Sequence, residues 1–424
     1  MTAGSRSHRH VRAPAAYYLY EGGSALLNAL AFTLMLVFQV QVVGLSPFEL
    51  VLMGTVLEVT ILLFEIPTGV VADVYSRRRS VLIGTAVIGA SLLLQSLWPV
   101  FWPTLIAQAV WGIGYTFVSG ALQAWITDEV GEDAVQPVFT RGVQLALALT
   151  IAGTVAAGLV GQLDLRLPML CAGVGYLLLS LALLIVMPET AFRPMPKAER
   201  QGWRQFGITL RASLVLARRR PLVRGFAWVA LFVGLSSEAV DRLWVAHILA
   251  AFTLPPLAGT SGTALWFSLF GLVGTVLSLV ASLLANRLAN RRLNQLHPGG
   301  LLAGLVLLQV AGIIGFALIG SVVVALSALW LRDAARALAE PVESAWLNRS
   351  IDSRSRATTL SLVGQLDALG QVVGGPPLGA LAARTSIPVG LVASALVLAP
   401  AAAILARMGR STRRPRDDEG GSAS

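Results

Sequence analysis

The chain has 424 residues, 55% of them hydrophobic and only 13% charged, with a mean hydropathy of +0.73. Soluble domains carry about 25% charge, so a water-soluble protein of this length is excluded and a polytopic membrane protein remains. The net charge of +10 does not point to nucleic acid: all basic residues but Lys197 are arginines, in short clusters between apolar runs, which is a topology pattern.

Residues 1–16 form a polar, basic tail (Ser5, Arg6, Arg9, Arg12). No short apolar region with a cleavage site follows, so the first apolar run reads as a retained span behind a cytoplasmic amino terminus. Apolar runs bounded by charge, glycine or proline predict twelve helices, at about 17–42, 48–72, 80–98, 104–126, 139–162, 169–187, 223–250, 263–285, 299–319, 322–347, 358–380 and 388–406. The expected architecture is all-α, two pseudo-symmetric six-helix bundles (17–187 and 223–406) joined by a polar cytoplasmic linker (188–222) with an amphipathic piece, and closed by a cytoplasmic tail (407–424). With both termini inside, 26 basic residues fall in cytoplasmic segments and two, Arg166 and Arg384, in outer loops. That bias sets the orientation in the cell's inner (plasma) membrane. The single cysteine, Cys171, lies in an apolar run, so neither a disulfide framework nor a cysteine metal site is expected, and no cofactor is.

The two halves repeat each other. Gly120-Ala-Leu-Gln-Ala-Trp125 resembles Pro341-Val-Glu-Ser-Ala-Trp346 at an offset of 221, which also carries Gln144-Leu145 onto Gln365-Leu366. Gly69 to Arg78 aligns with Ser282 to Arg291 at an offset of 213. Parallel repeats of six helices suit a transporter with a central site.

At these residues the chain resembles the major facilitator superfamily. The family's signature in loop 2–3, Gly-x-Leu-Ala-Asp-Arg-x-Gly-Arg-Arg, is matched by Gly69, Ala72, Asp73, Arg77 and Arg78, while Val71, Val74 and Ser76 depart from it. Glu65-Ile-Pro67-Thr68-Gly69, and Trp346-Leu-Asn348-Arg349 with Arg356-Ala-Thr, are similar to drug-efflux members. The glycine permits close helix approach, and the aspartate can accept from amides at a helix amino terminus. The resemblance implies that this neighbour is helix 11, starting near Thr358, so Gly69 and Asp73 with Arg77, Arg78 and Arg356 are candidates for a conformational latch. The arginines alone would also serve topology. Two departures stand out: Gln108 replaces the arginine four residues before Gly112-x-Gly114, and helix 5 has Gly153, Gly158 and Gly161 but no proline-glycine motif.

Ionisable groups at bilayer depth face a cavity or a partner. They are Glu21 on helix 1, Glu58 and Glu65 on one face of helix 2, Glu238, Asp241 and Arg242 on helix 7, and Arg332, Asp333, Arg336, Glu340 and Glu343 on helix 10. The family resemblance implies that helices 1, 4, 7 and 10 line the central cavity. An offset of 221 places Arg332 and Arg336 on Trp111 and Tyr115 of helix 4. Aromatic faces on one wall and charge on another would hold an amphipathic small molecule; equally, Glu238 and Asp241 against Arg332 and Arg336 would form a structural network. A buried carboxylate among Glu21, Glu58, Glu65, Glu238 and Asp241 is a candidate proton carrier.

No phosphate-binding loop surrounds the only lysine, and the four histidines (His8, His10, His247, His297) lack a nucleophile or metal partner in pattern, so an enzyme is not expected. The expected function is secondary transport, proton-coupled efflux of a drug-like molecule by a monomer. Metabolite import, uniport or a non-transporting sensor are the alternatives.

Overall fold

A computed structural model describes residues 3–194, 207–208, 211, 215, 217–218, 220–257, 259, 262–292, 298–350 and 353–411, with the side chains of 3–12, 285–292, 350, 353–358 and 411 left out. Most of the expected linker, the end of the carboxy tail and the side chain of Arg356 therefore lie outside the described residues.

The described residues form twelve long helices: α1 (Ala3–Gln41), α2 (Pro47–Val74), α3 (Arg77–Leu97), α4 (Phe101–Val130), α5 (Glu132–Gly161), α6 (Leu167–Val186), α7 (Pro221–Ala251), α8 (Thr263–Arg292), α9 (Pro298–Leu318), α10 (Val322–Ser350), α11 (Ser353–Arg384) and α12 (Ile387–Ser411). α4 breaks at Ser119–Gly120. Ten helices are long and apolar enough to cross a membrane; α10 and α11 are not. α10 carries the run of charges from Arg332 to Glu343, and α11 is diluted by glycines, Gln365, Asp367 and Gln371. Large apolar side chains such as Leu63, Ile106, Leu159, Leu178 and Ile185 stand exposed on the helix flanks, an arrangement suited to lipid and costly in water.

Polar residues set the starts of two helices, α2 and α5, rather than the first apolar residue. Ser46 and Glu49 form a reciprocal capping box at α2, with Ser46 N donating to Glu49 Oε2 at 2.8 Å. α5 begins at Glu132, earlier than the apolar run, because Glu132 and Asp133 suit the positive helix end. Gly131 alone joins α4 to α5 at φ +94°, a conformation that favours glycine.

The helices cluster into two units, Met1–Phe206 with Thr253–Leu272, and Gly207–Phe252 with Val273–Ser424. In the first, α1 packs on α5 and α6, and α3 on α4 and α6. In the second, α7 packs on α11 and α12, and α9 on α10 and α12. These four pairings in the first unit have their counterparts six helices later, whereas the packing of α2 on α4 has none of similar extent among the described residues. The crossings agree in detail: Gly153 of α5 lies against the Leu26 carbonyl of α1, and Gly374 of α11, 221 residues further on, lies against the Leu235 carbonyl of α7. The glycines leave the room that lets backbone meet backbone.

Candidate functional site

On α4, glycines and rings occupy different sides. A Cβ on Gly112 would meet Thr60 of α2 at 3.2 Å, and one on Gly114 would meet the Gly84 carbonyl of α3 at 2.9 Å, so that side is pressed onto its neighbours. Trp111 and Tyr115, one turn apart, stack at 5.5 Å and 11°, and Phe32 of α1 meets Trp111 edge-on at 5.3 Å. Trp111 and Tyr115 border a cavity of about 400 Å³, wholly within the first unit, that Tyr20, Glu21 and Asn28 of α1, Gln123 of α4 and Tyr176 of α6 also line. The Tyr176 hydroxyl is already used, donating to the Ser24 carbonyl at 3.2 Å. Trp111 Nε1 and Asn28 Oδ1 are buried without a hydrogen-bond partner among the described residues. One donor and one acceptor are thus held ready beside π faces and one carboxylate, Glu21. Leaving such groups unmade is costly, which is a reason to expect a ligand there. Glu58, half-buried, and Glu65, exposed, act electrostatically on Tyr115 from α2.

The second unit carries the charges. Arg332, 7% exposed, donates to Asp241 Oδ1 at 3.1 Å and to Asp333 Oδ1 at 2.9 Å. Arg336 reaches Asp241 Oδ2 at 3.6 Å and Glu340 Oε1 at 3.5 Å. Asp241 therefore joins both arginines, as the network reading requires. Glu238 does not: it pairs with Arg242 of its own helix at 2.8 Å. An i, i+4 partner on a rigid helix competes effectively against a partner on another element. Asp367 of α11, overlooked in the sequence, adds a carboxylate beside Glu343. His247, buried, packs against Phe316 and meets its carbonyl at 3.1 Å.

At the α2–α3 loop, Asp73 pairs with Arg77 at 3.3 Å, and Arg77 in turn pairs with Asp128 of α4 and donates to the Ala124 carbonyl at 3.1 Å. Ser76, one departure from the signature, caps α3 by accepting from Arg79 N at 2.9 Å while its hydroxyl donates to Glu189 Oε2 at 2.6 Å. Glu189 also accepts from Arg78 N at 2.9 Å. Gly69 has nothing among the described residues within 4 Å of the position its Cβ would take. Asp128 and Glu189 were missed because acidic residues at helix ends look like solvated loop charges.

An all-helical body with two units that repeat one packing scheme, each lined internally by polar groups among apolar flanks, defines a multi-pass membrane transporter and not an enzyme. The family model described as Major Facilitator Superfamily matches residues 22–336, and the chain belongs to that family. A Bacillus subtilis (strain 168) protein described as an uncharacterized MFS-type transporter, YxaM, is 25% identical over 200 residues, spanning 46% of this chain and 48% of that protein. The nucleoside transporter NupG shares the fold at 11% identity with a TM-score of 0.73, over 95% of this chain and 99% of that one. A bacterial homolog of the human lysosomal transporter Spinster, inward-facing and occupied, does so at 15% identity with a TM-score of 0.71, over 97% and 98%. A POT family transporter in complex with a thioalcohol-conjugated peptide gives 14% and 0.68, over 94% and 96%.

Proposed function

We propose that the chain exports an amphipathic, drug-like organic molecule in exchange for protons, by alternating access of two six-helix halves that cross the inner membrane twelve times with both termini cytoplasmic. The observation that carries this reading is the first-unit cavity, where the Trp111–Tyr115 stack adjoins an unpartnered indole N–H, an unpartnered amide oxygen and the Glu21 carboxylate. A planar molecule with one acceptor and one basic nitrogen would use all of these at once. Of the carboxylates expected to carry protons, Glu21 lines this cavity, Glu58 and Glu65 belong to the same unit, and Glu238 and Asp241 are held in ion pairs of the second unit. Asp73, with Arg77 and Arg78, serves as the latch between conformations, and the monomer is the working unit. The stack and the likeness in fold to a nucleoside transporter favour a second reading, uptake of a planar metabolite whose base stacks on Trp111.

The test uses inside-out vesicles, an imposed pH gradient and ethidium as probe. Ethidium should accumulate and escape when an uncoupler collapses the gradient. Trp111→Leu removes the indole face on which ethidium would stack, so KM should rise by about twofold to tenfold, the worth of one aromatic pair. No movement of ethidium, with nucleoside entry into intact cells, would replace export by the second reading.

A further inference from the structure

The second unit holds its own cavity, of about 270 Å³. Its α10 lining is Arg336, Ala339, Glu340 and Glu343, and each stands 221 residues after a lining residue of the first-unit cavity: Tyr115, Val118, Ser119 and Leu122. From α7, Val229 and Ala230 stand 209 residues after Tyr20 and Glu21, the spacing that also relates Leu235 to Leu26 at the glycine crossings. The two cavities are one place in the repeat, built twice. One is lined by rings, the other by charges.

The charges of the second cavity do not cancel. Its lining carries one cation, Arg336, which pairs with Glu340 and with Asp241, against three carboxylates, Glu340, Glu343 and Asp367; beyond the lining, Arg242 is taken by Glu238 and Arg332 by Asp241 and Asp333. Glu343 and Asp367, which act on each other electrostatically, make no ion pair among the described residues. Asp367 accepts a hydrogen bond from Gln371 Nε2 at 2.9 Å, and its backbone carbonyl lies against Gly234 of α7, which fixes its place. The charged groups facing this pair are Asp241 from α7 and Arg336 and Glu340 from α10, while α9 contributes the uncharged Leu302, Val306 and Gln309 and α12 contributes Leu405. Gln309 is 7% exposed and lines the same cavity. An isolated carboxylate in such a place takes up a proton rather than stay charged, and two that interact titrate as a pair.

We infer that Glu343 and Asp367 are the proton-exchange site, with Gln309 as the hydrogen-bond partner of the protonated form. The inference rests on the proposed exchange of substrate for protons and names where that proton sits. A hydronium ion entering the cavity gives its proton to one carboxylate and leaves as water; the resulting O–H donates to the other carboxylate or to Gln309 Oε1. In the reverse step the proton returns to water. The aromatic cavity then holds the organic molecule and its repeat-equivalent holds the proton.

Two measurements on purified, reconstituted protein test this. Infrared difference spectra between near-neutral pH, where ordinary carboxyls are already ionised, and alkaline pH should show a protonated-carboxyl band that weakens in Glu343→Gln and in Asp367→Asn and is absent from the double variant. One proton per ethidium in a one-unit pH gradient supports an accumulation ratio of about tenfold, which should fall to about one in the double variant while ethidium counterflow persists. Retention of the band, or of gradient-driven accumulation, in the double variant overturns the assignment. Accumulation driven by a sodium gradient and lost in the variants overturns the proton in favour of sodium. A wild-type protein indifferent to both gradients, yet showing the band that the double variant lacks, removes the exchange reading and leaves the pair as a proton-binding site.

Discussion

Arg332 is the hinge of the charge network, and its replacement by glutamine has a calculable cost. The side chain is 9% exposed and bonds two carboxylates at 3.1 and 2.9 Å. Removing the cation of a buried pair typically costs about 3–5 kcal/mol, because the remaining charge stays buried. Here Asp241 and Asp333 are 44% and 35% exposed and keep a path to water, so the lower end applies, about 3 kcal/mol or about two orders of magnitude in the folding equilibrium. Arg336→Gln is the internal comparison. Its contacts are longer, 3.6 and 3.5 Å, and its side chain is 37% exposed, so the loss should stay under about 1 kcal/mol. Arg332→Gln with Asp333→Asn should recover part of the single-variant loss, since one stranded charge is removed. Equilibrium unfolding in mixed detergent micelles gives all three values. Equal losses for Arg332→Gln and Arg336→Gln, or an Arg332→Gln protein within about 0.5 kcal/mol of wild type, would refute the argument.

Much of the fold was legible because a bilayer imposes one rule, long apolar helices, and the apolar runs lie within a few residues of most observed helices. Their ends were not, because local polar residues and not the apolar run decide them: α5 starts at the acidic Glu132 after Gly131, and α3 starts at Arg77 after its cap Ser76. The 221-residue offset seen in the sequence reappears as Gly153 and Gly374 at matched crossings and as matched cavity linings. Trp111 and Tyr115 were found through that offset, and Asp241 through its charge at depth. Asp367 carries the same signal, a carboxylate inside an apolar run, but it is alone on its helix and no stripe marks it. Glu238 was assigned the wrong partner because spacing along α7 says which groups are near each other on that helix, whereas a choice between Arg242 and Arg332 depends on packing. Gln309 gave no signal at all, since a single polar residue in a span is ordinary.

Two further predictions concern stability and are checked by thermal unfolding in detergent. Ser76→Ala removes the α3 cap and the link to Glu189, at a cost of about 1–2 kcal/mol; Ser76→Gly, the family's usual residue, should cost less than alanine, since glycine is tolerated at a cap. The second tests the repeat itself. Gly153 and Gly374 each face a backbone carbonyl, of Leu26 and Leu235, that cannot move without moving a whole helix. A methyl group at either position must therefore pry α1 from α5, or α7 from α11, and overpacking of this kind costs about 1–3 kcal/mol. Gly304, on α9, has no atom within 4 Å of its would-be Cβ, so Gly304→Ala gains helix propensity, about 0.5–1 kcal/mol, with nothing to displace. Gly153→Ala and Gly374→Ala should thus lower stability by similar amounts while Gly304→Ala raises it. If the first two were neutral, or if only one of them were costly, the two crossings would not be equivalent, and the matched cavities built on them would lose their common frame.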